Sequence, residues 1–456
     1  MKNVLLLLPV LFALFPCPRV TAQTDAVAAT ITRDSLATTL NKVVRAFEVY
    51  HPNAYAYTDS ATIADLRKDL LATLPPEIDT LTAFRALTRL TTAFNDAHSR
   101  VYAGRFTGYA RARRFPRRLS VSGTTLSLDG RKVLTINDRP AGEIASTLRG
   151  YVNRETADLD DHILSRSFAY YYWLAYGEED FRIRFADGEH EAFAGVAGAG
   201  GNENHARVPA TSLTFRNNDS VAILRLRDFN DRPKTYRTAF AAAFDRIREA
   251  GATTLILDLR GHDGGDSRVG VELARYIADA PFRPFAYSEY RVTEALRQAF
   301  QQTYLPGILG TFKSVLTPFN PHLRAIYGSP LNTNGRVDYP LTKPYGPVKA
   351  FTGEVFLLQD EDTFSAGTCF TALVKDYGMG TIVGRPSGNL GSFHADALLK
   401  MPLPLGLSMR ISTSYLVRPG GSTAAEPVQP DVLTAVGEDA LEVALNQTGS
   451  ASVQRM

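Results

Sequence analysis

Leu255-Ile-Leu-Asp258-Leu-Arg260-Gly-His-Asp-Gly-Gly265 is the stretch that decides the fold. The apolar run from Thr253 to Leu259 has the length of a buried strand, and a glycine-rich turn follows it at once. From Ser267 to Ala278 the pattern becomes helical. A buried strand that passes through such a turn into a helix is typical of an α/β fold with a largely parallel sheet.

The same alternation appears on both sides of this stretch. The predicted elements are the strand Val221–Leu226, the helix Lys234–Ala250, the strand Glu354–Leu358, the helix Ala366–Tyr377 and the strand Thr381–Val383. Between the two halves, residues 281–350 are rich in prolines and aromatic residues and have no clear period. We interpret this segment as an insertion or a lid.

The N-terminal half is predicted to contain two smaller units. Helical periodicity extends over Asp34–Tyr50, Ala61–Leu74 and Leu81–Phe94, so a small helical unit comes first. Short strands follow at Leu119–Val121, Thr125–Leu128 and Lys132–Ile136, with a helix at Ala141–Leu148. Gly198 to Gly201 marks a flexible break before the α/β part.

The first 22 residues have the order of a secretory signal peptide. A basic start, an apolar run from Val4 to Phe15 and small residues up to Ala22 predict cleavage near Ala22 and a secreted or periplasmic product. The run is shorter than the roughly 20 residues of a membrane span. A lipoprotein modified at Cys17 is the less favoured alternative, since Pro16 precedes it. Of the two cysteines, only Cys369 would then remain, which excludes an intramolecular disulfide.

Composition excludes some classes of function. The chain has 456 residues, 45% hydrophobic and 21% charged, as in globular proteins. A net charge of +3 gives no reason to expect a nucleic-acid partner. The arginine cluster consists of Arg111, Arg113, Arg114, Arg117 and Arg118. A solvated face is the more common role of such a cluster, and binding of an acidic peptide or a membrane surface is the alternative. The eight histidines have no zinc-type spacing, and no metal or cofactor is expected.

Ser365 is the first candidate for chemistry. It lies in the turn between the strand that ends near Leu358 and the helix that begins near Ala366. The free N–H groups and positive dipole end of that helix can hold a developing oxyanion. From this motif alone, a simple helix cap is the more probable role, because serine favours N-cap positions.

The glycine loop offers a second set of backbone donors. Gly264 and Gly265 let the main chain approach a ligand closely. A phosphate-binding loop is the alternative, but the Lys-Ser/Thr pair of a P-loop and a full Gly-x-Gly-x-x-Gly are missing. We therefore expect an oxyanion donor here, and the competing interpretation is a plain tight turn.

These motifs together resemble the C-terminal-processing (tail-specific) and tricorn-like serine peptidases. The glycine loop from Asp258 to Gly265 is similar to their Asp-Leu-Arg-Gly-Asn-Gly-Gly-Gly signature, and Thr363 to Gly378 is similar to their nucleophile segment. Asp96-Ala-His-Ser99 resembles the Asp-Gly-His-Thr motif of the tricorn-like branch. Val133 to Pro140 resembles the end of their PDZ-like module, and His51-Pro-Asn53 their secreted bacterial members.

The resemblance implies a catalytic mechanism with a histidine base. The lysine of the tail-specific Ser-Lys dyad is matched here by Leu390, so the dyad is absent. The tricorn-like branch implies Ser365 as nucleophile and His98 as base, with a helper serine where this chain has Ala97. Ser99 is the possible substitute. The oxyanion donors would be Gly264 or Gly265 together with Ala366.

A helper glutamate is also implied, and Glu426, just before Pro427 and Pro430-Asp431, is its candidate. A solvated loop carboxylate is an equally good interpretation of Glu426. His394 is the second candidate for the base. His262 replaces the family's asparagine beside the glycine loop, and Cys369 is expected to be a core residue.

The resemblance implies a crotonase-like α/β catalytic domain, with an N-terminal helical unit and a small β-rich PDZ-like module. The predicted division is 1–22 signal peptide, 23–100 helical unit, 101–205 PDZ-like module, 206–440 peptidase domain with the insertion at 281–350, and 441–456 tail. The expected function is an exported serine endopeptidase that acts on peptides or proteins. The alternative is a catalytically degenerate peptide- or lipid-binding protein on the same fold. A nucleotide-binding enzyme is disfavoured by the incomplete phosphate motifs.

Overall fold

The computed structural model describes residues 30–103, 112–177, 179–197, 210–307, 310 and 313–448. The predicted signal peptide with Cys17, residue Arg111 and the Gly198–Gly201 break lie outside these residues. No helix of the described ranges is both long and apolar enough to cross a membrane.

A six-stranded sheet forms the centre of the α/β part. Its first strand pairs antiparallel with the second, and all later pairs are parallel. The strand order is Thr211–Arg216, Val221–Leu226, Thr254–Asp258, Glu354–Gln359, Thr381–Gly384, Val432–Leu433. The α/β fold class is thereby confirmed, and we call this sheet the central sheet.

Helices cover both faces of the central sheet, which explains why its middle strands are continuous apolar runs. One face packs against Pro233–Glu249, Ser267–Ala274 and Ala366–Tyr377. The other face packs against Ala440–Gln447. The first and third of these helices begin and end within one residue of the prediction, while Ser267–Ala274 is shorter than predicted.

The helical unit consists of three helices around a separate apolar core, at Arg33–Tyr50, Ser60–Thr73 and Thr80–Thr92. Two short strands, Ile31–Thr32 and Glu77–Ile78, pair beside it. Each helix begins with a side-chain cap, from Thr32, Asp59 and Asp79.

The β-rich module is an antiparallel sheet with two helices. Its strands are His190–Phe193, Phe181–Phe185, Arg131–Ile136, Thr125–Leu128 and Ser120–Ser122 in spatial order, with Arg139–Pro140 paired to Arg131–Ile136. Its helices are Ala141–Arg149 and Asp160–Tyr176, preceded by the 3₁₀ turn Ala157–Leu159. Val196–Ala197 pairs with Arg113–Arg114. The exact limits of the units remain a prediction.

Two further sheets surround the end of the central sheet where Ser365 lies. One has the order Asn334–Asp338, Tyr287–Arg291, Ser414–Val417, Phe393–Ala395. The other has the order Leu399–Pro402, Ser408–Ile411, Arg100–Tyr102, so the chain just after His98 pairs with a strand more than 300 residues later.

The segment predicted as an insertion contributes structure of its own. It contains the helices Glu294–Tyr304, Lys313–Leu316 and Pro321–Leu323, the 3₁₀ turn Thr317–Phe319 and the π turn Arg324–Gly328. These elements pack with Tyr290 and Val337 in one apolar cluster. Its strand Tyr287–Arg291 is central in a sheet, so at least this part of the segment is built into the fold.

Candidate active site

Ser365 lies at the start of the helix Ala366–Tyr377, in the turn after the strand Glu354–Gln359. Its backbone has φ 55° and ψ −118°, a conformation that residues other than glycine rarely adopt. Its side chain makes no capping hydrogen bond. The serine is therefore held in a strained turn, and its hydroxyl does not cap the helix. Such strained positions are common for functional residues.

The His98 ring lies at hydrogen-bond distance from that hydroxyl. His98 Nε2 is 3.1 Å from Ser365 Oγ, although the two residues are 267 positions apart. The ring is stacked between Phe393, with centroids 5.2 Å apart, and Phe364, with centroids 5.0 Å apart. Burial lowers the pKa of His98 to about 4, while the Asp96 charge acts in the opposite direction. A neutral imidazole at physiological pH is the form that accepts a proton.

A buried glutamate that the sequence analysis did not identify faces the other nitrogen of this ring. Glu155 Oε1 lies 4.0 Å from His98 Nδ1, and both side chains are largely buried. The Nδ1 and Oε1 atoms have no hydrogen-bond partner among the described residues. Glu155 Oε2 accepts hydrogen bonds from the Leu390 N–H at 3.0 Å and from Asn389 Nδ2 at 3.1 Å. Burial raises the pKa of Glu155 to about 8.

Asp96 fixes the turn that carries His98. Its carboxylate accepts the His98 backbone N–H at 3.0 Å and the Ser99 hydroxyl, and His51 Nε2 lies 3.3 Å away. Burial alone would raise the pKa of Asp96. The hydrogen bond and charge of His51 outweigh this effect and hold the pKa of Asp96 below its usual range. Ser99 Oγ also accepts the Ser412 N–H, so this hydroxyl holds the turn rather than approaching His98.

The glycine loop lies directly against the serine. A side chain on Gly264 would place its Cβ 2.7 Å from Ser365 Cβ, and one on Gly265 would lie 2.3 Å from the Phe229 backbone. The Gly264 N–H donates to His262 Nδ1 at 3.1 Å. Within the described structure, neither the Gly265 nor the Ala366 N–H has a partner. These two donors are thus available to a ligand, whereas that of Gly264 is engaged.

The remaining candidates occupy different positions. Glu426 is exposed, and its described hydrogen bonds are made by its backbone: its carbonyl accepts the Gly391 N–H and its N–H donates to the Ala424 carbonyl. His394 is buried against the His51 ring, at 4.2 Å between centroids, without a described contact to Ser365. Cys369 lies in an apolar cluster, where burial raises the pKa of its thiol. The structure therefore brings Ser365, His98 and the glycine loop together, and the carboxyl group described beside His98 is that of Glu155 rather than that of Glu426.

Asp96, His98 and Glu155 are also a group that can be considered as a metal site. Each offers one ligand atom, and these atoms lie within 4.8 Å of one another. However, the Asp96 oxygens already accept hydrogen bonds from the turn, and His98 Nε2 faces a serine. This geometry favours orientation of a histidine over ligation of an ion.

Comparisons with known proteins identify a matching family. Residues 220–434 match the model of a family described as Peptidase family S41. No curated protein sequence matches the chain.

Among solved structures, mature CPAF is similar, with 14% identity and a TM-score of 0.56 over 88% of this chain and 92% of that one. Mature CPAF complexed with lactacystin has 13% identity and a TM-score of 0.55, over 88% and 93% of the two chains. The photosystem II D1 C-terminal processing protease has 14% identity and a TM-score of 0.44, over 88% and 94%. At these identities the CPAF structures establish similarity of fold alone.

Proposed function

From the premise that the chain belongs to peptidase family S41 and is a serine peptidase, we propose that Ser365 is its nucleophile and His98 its general base. The observation that carries this proposal is the 3.1 Å distance between Ser365 Oγ and His98 Nε2. In the first step, Ser365 Oγ bonds to the substrate carbonyl carbon while His98 takes its proton. The imidazolium then protonates the leaving amine as the C–N bond breaks, which leaves an acyl-enzyme on Ser365. His98 next takes a proton from water, which attacks the acyl carbon and releases the serine.

The oxyanion of the tetrahedral intermediate is held by backbone donors. Ala366 directly follows the serine, and Gly265 directly follows Gly264, which lies against the serine; the N–H groups of Ala366 and Gly265 have no partner in the described structure. The dipole of the helix Ala366–Tyr377 adds positive potential at the same place. We assign the oxyanion hole to these two groups, and Gly264 contributes if its N–H leaves His262 Nδ1.

Glu155 takes the role of orienting His98 in this proposal, in place of Glu426. The Oε1 atom beside Nδ1 can accept a hydrogen bond from it, which favours the tautomer with its proton on Nδ1 and leaves Nε2 free to accept the serine proton. The present separation of 4.0 Å is longer than a hydrogen bond, so the contact forms by a shift of about 1 Å or through a water molecule.

Export is part of the proposal and is supported by the order of residues from Met1 to Ala22. N-terminal sequencing of the protein from the cell envelope or medium should find a start near Gln23. An intact Met1 on protein in the cytosol would contradict export while leaving the peptidase assignment unaffected.

The decisive experiment is active-site labelling with a fluorophosphonate probe. The wild-type protein should be labelled at Ser365, and Ser365→Ala and His98→Ala should lose both labelling and peptide cleavage. Ser212→Ala is the control, because Ser212 is exposed on the edge strand Thr211–Arg216 of the central sheet. A folded wild-type protein that neither reacts nor cleaves, yet binds a peptide or lipid tightly, would favour the degenerate binding protein.

A further inference from the structure

A carboxylate with one unpaired oxygen lies three residues after the ring that is stacked on His98. Asp396 follows the strand Phe393–Ala395, whose Phe393 ring is stacked on the His98 ring. Residues 391–395 are buried, whereas Asp396 is partly exposed. Its backbone has φ 49°, in the left-handed region that aspartate tolerates better than most residues. The chain thus turns at this point, and only part of the side chain is accessible to solvent.

Only one of the two Asp396 oxygens is engaged within the described part of the chain. Oδ2 accepts hydrogen bonds from Ser414 Oγ at 2.9 Å and from the Tyr290 hydroxyl at 3.2 Å. Oδ1 has no described hydrogen-bond partner. It is not one of the fully buried polar atoms that lack a partner, and it is therefore accessible to solvent.

A positive partner for this carboxylate is missing among the described side chains. Arg268, whose charge acts on the neighbouring Tyr304, is already paired with Asp266 at 2.5 Å. Burial, together with the Asp266 charge, raises the pKa of Asp396. A carboxylate held in place by two donors, with no counter-charge of its own, favours binding of a cation.

Aromatic rings surround this carboxylate. The Tyr290 hydroxyl lies 3.3 Å from His322 Nδ1, and the His322 and Tyr339 rings have centroids 5.8 Å apart. Burial lowers the pKa of His322 to about 4, so this histidine adds an uncharged ring rather than a positive charge. Aromatic faces next to a carboxylate suit the alkyl chain and the charged end of lysine or arginine.

An apolar cluster lies between this carboxylate and the helix that follows the nucleophile. Cys369 donates its N–H to the Ser365 carbonyl at 2.9 Å, in the first turn of the same helix. The Cys369 side chain forms one cluster with Phe393 and Ala395, and Tyr339 packs against that cluster. The Asp396 charge contributes to the raised pKa of the Cys369 thiol, so the carboxylate is within electrostatic range of this turn.

We propose that the preferred substrates are peptides with a lysine or arginine next to the cleaved bond, and that Asp396 binds that side chain among these aromatic rings. The inference rests on the proposed function, because it places the residue relative to a bond attacked by Ser365. Loss of one partner of a desolvated charge pair commonly reduces affinity by tenfold or more.

The test compares three peptides that differ only at the residue before the cleaved bond, which is lysine, acetyl-lysine or norleucine. We expect the wild-type protein to cleave the lysine peptide at least tenfold more efficiently than the other two, by kcat/KM. In Asp396→Asn this ratio should fall close to one. Asp338→Asn is the matched control, since Asp338 is 69% exposed one residue before Tyr339, and it should keep the wild-type ratio.

The outcomes separate the two proposals. Cleavage that depends on Ser365 but has equal rates for the three peptides, or a lysine preference that survives in Asp396→Asn, overturns the role of Asp396 and leaves the peptidase intact. If circular dichroism shows that Asp396→Asn is unfolded, the comparison of the lysine and acetyl-lysine peptides with the wild-type protein tests the preference for a positive charge.

If the wild-type protein cleaves nothing, the proposed function fails, and a peptide-binding measurement tests the preference for lysine. Fluorescence polarisation with Ser365→Ala should then give at least tenfold tighter binding of the lysine peptide than of the norleucine peptide. Equal binding would overturn the inference as well.

Discussion

The backbone N–H of Leu390 donates a 3.0 Å hydrogen bond to Glu155 Oε2. Leu390 is the position that corresponds to the dyad lysine of the tail-specific peptidases in the resemblance described above. Here the main chain at that position supports a carboxylate, and the carboxylate in turn faces the His98 ring. In the proposed mechanism, the same part of the fold therefore supports the histidine base through Glu155 instead of supplying an amine.

Glu155→Gln should lower kcat by roughly 10²-fold or more with little change in KM, because the amide keeps the shape but can turn an N–H donor towards His98 Nδ1 and cannot ionise to stabilise the imidazolium formed during the reaction. Steady-state kinetics on one peptide measures this. The matched control is Glu426→Gln, which should stay within about twofold of wild type, since Glu426 is exposed. A large loss of kcat in Glu426→Gln with little change in Glu155→Gln would instead assign the orienting role to Glu426.

The pH dependence of kcat/KM should place the ionisation of the base below the ordinary histidine value of about 6.5. Burial lowers the pKa of His98 to about 4, so activity should rise with pH through an acidic limb that begins well below pH 6. Asp96→Asn removes a charge that raises this pKa and should move the limb further to acid. A limb at or above pH 6.5 would contradict the burial argument.

Much of the fold was predictable because strands and helices produce local periodic patterns. Pro233–Glu249 and Ala366–Tyr377 were predicted almost to the residue for this reason. Glu155 was not predicted, since it lies in a turn 210 positions before Ser365 and its role depends on how the units pack. A single glutamate in a turn has no local pattern that separates it from a solvated one. Glu426 was chosen from a neighbouring motif, and a motif carries no information on burial.

The β-rich module contacts the turn that precedes the nucleophile. His162 Nε2 lies 2.9 Å from Asp362 Oδ1, and Arg166 pairs with the same oxygen. The hydrogen bond to Asp362 raises the pKa of His162, so the folded state holds this proton more tightly than the unfolded state. The resulting stabilisation is fully present below about pH 6.5 and is lost as the pH rises through the raised pKa.

His162→Gln should therefore reduce the free energy of unfolding at pH 5.5 by about 0.5–1.5 kcal/mol and much less at pH 8.5. Urea unfolding at the two pH values measures the difference. His190→Gln is the control, because His190 is an exposed histidine of the same module, and it should have no such pH-dependent effect. An equal loss at both pH values for His162→Gln would show that its charge is not involved.

Gly264→Ala should strongly reduce the catalytic rate while leaving substrate binding largely intact. The new Cβ would lie 2.7 Å from Ser365 Cβ and 3.2 Å from its Oγ, and the backbone φ of +108° is unfavourable for alanine. Relief of this contact must move either the serine or the loop that carries the Gly265 N–H, and a displacement near 1 Å commonly costs about 10²-fold in rate. We expect kcat to fall by at least that factor, with fluorophosphonate labelling slowed in parallel. Gly346→Ala is the matched control, because its Cβ would meet open space, and it should retain wild-type activity. Full activity in Gly264→Ala would show that the close approach of this loop to Ser365 is not part of the catalytic arrangement.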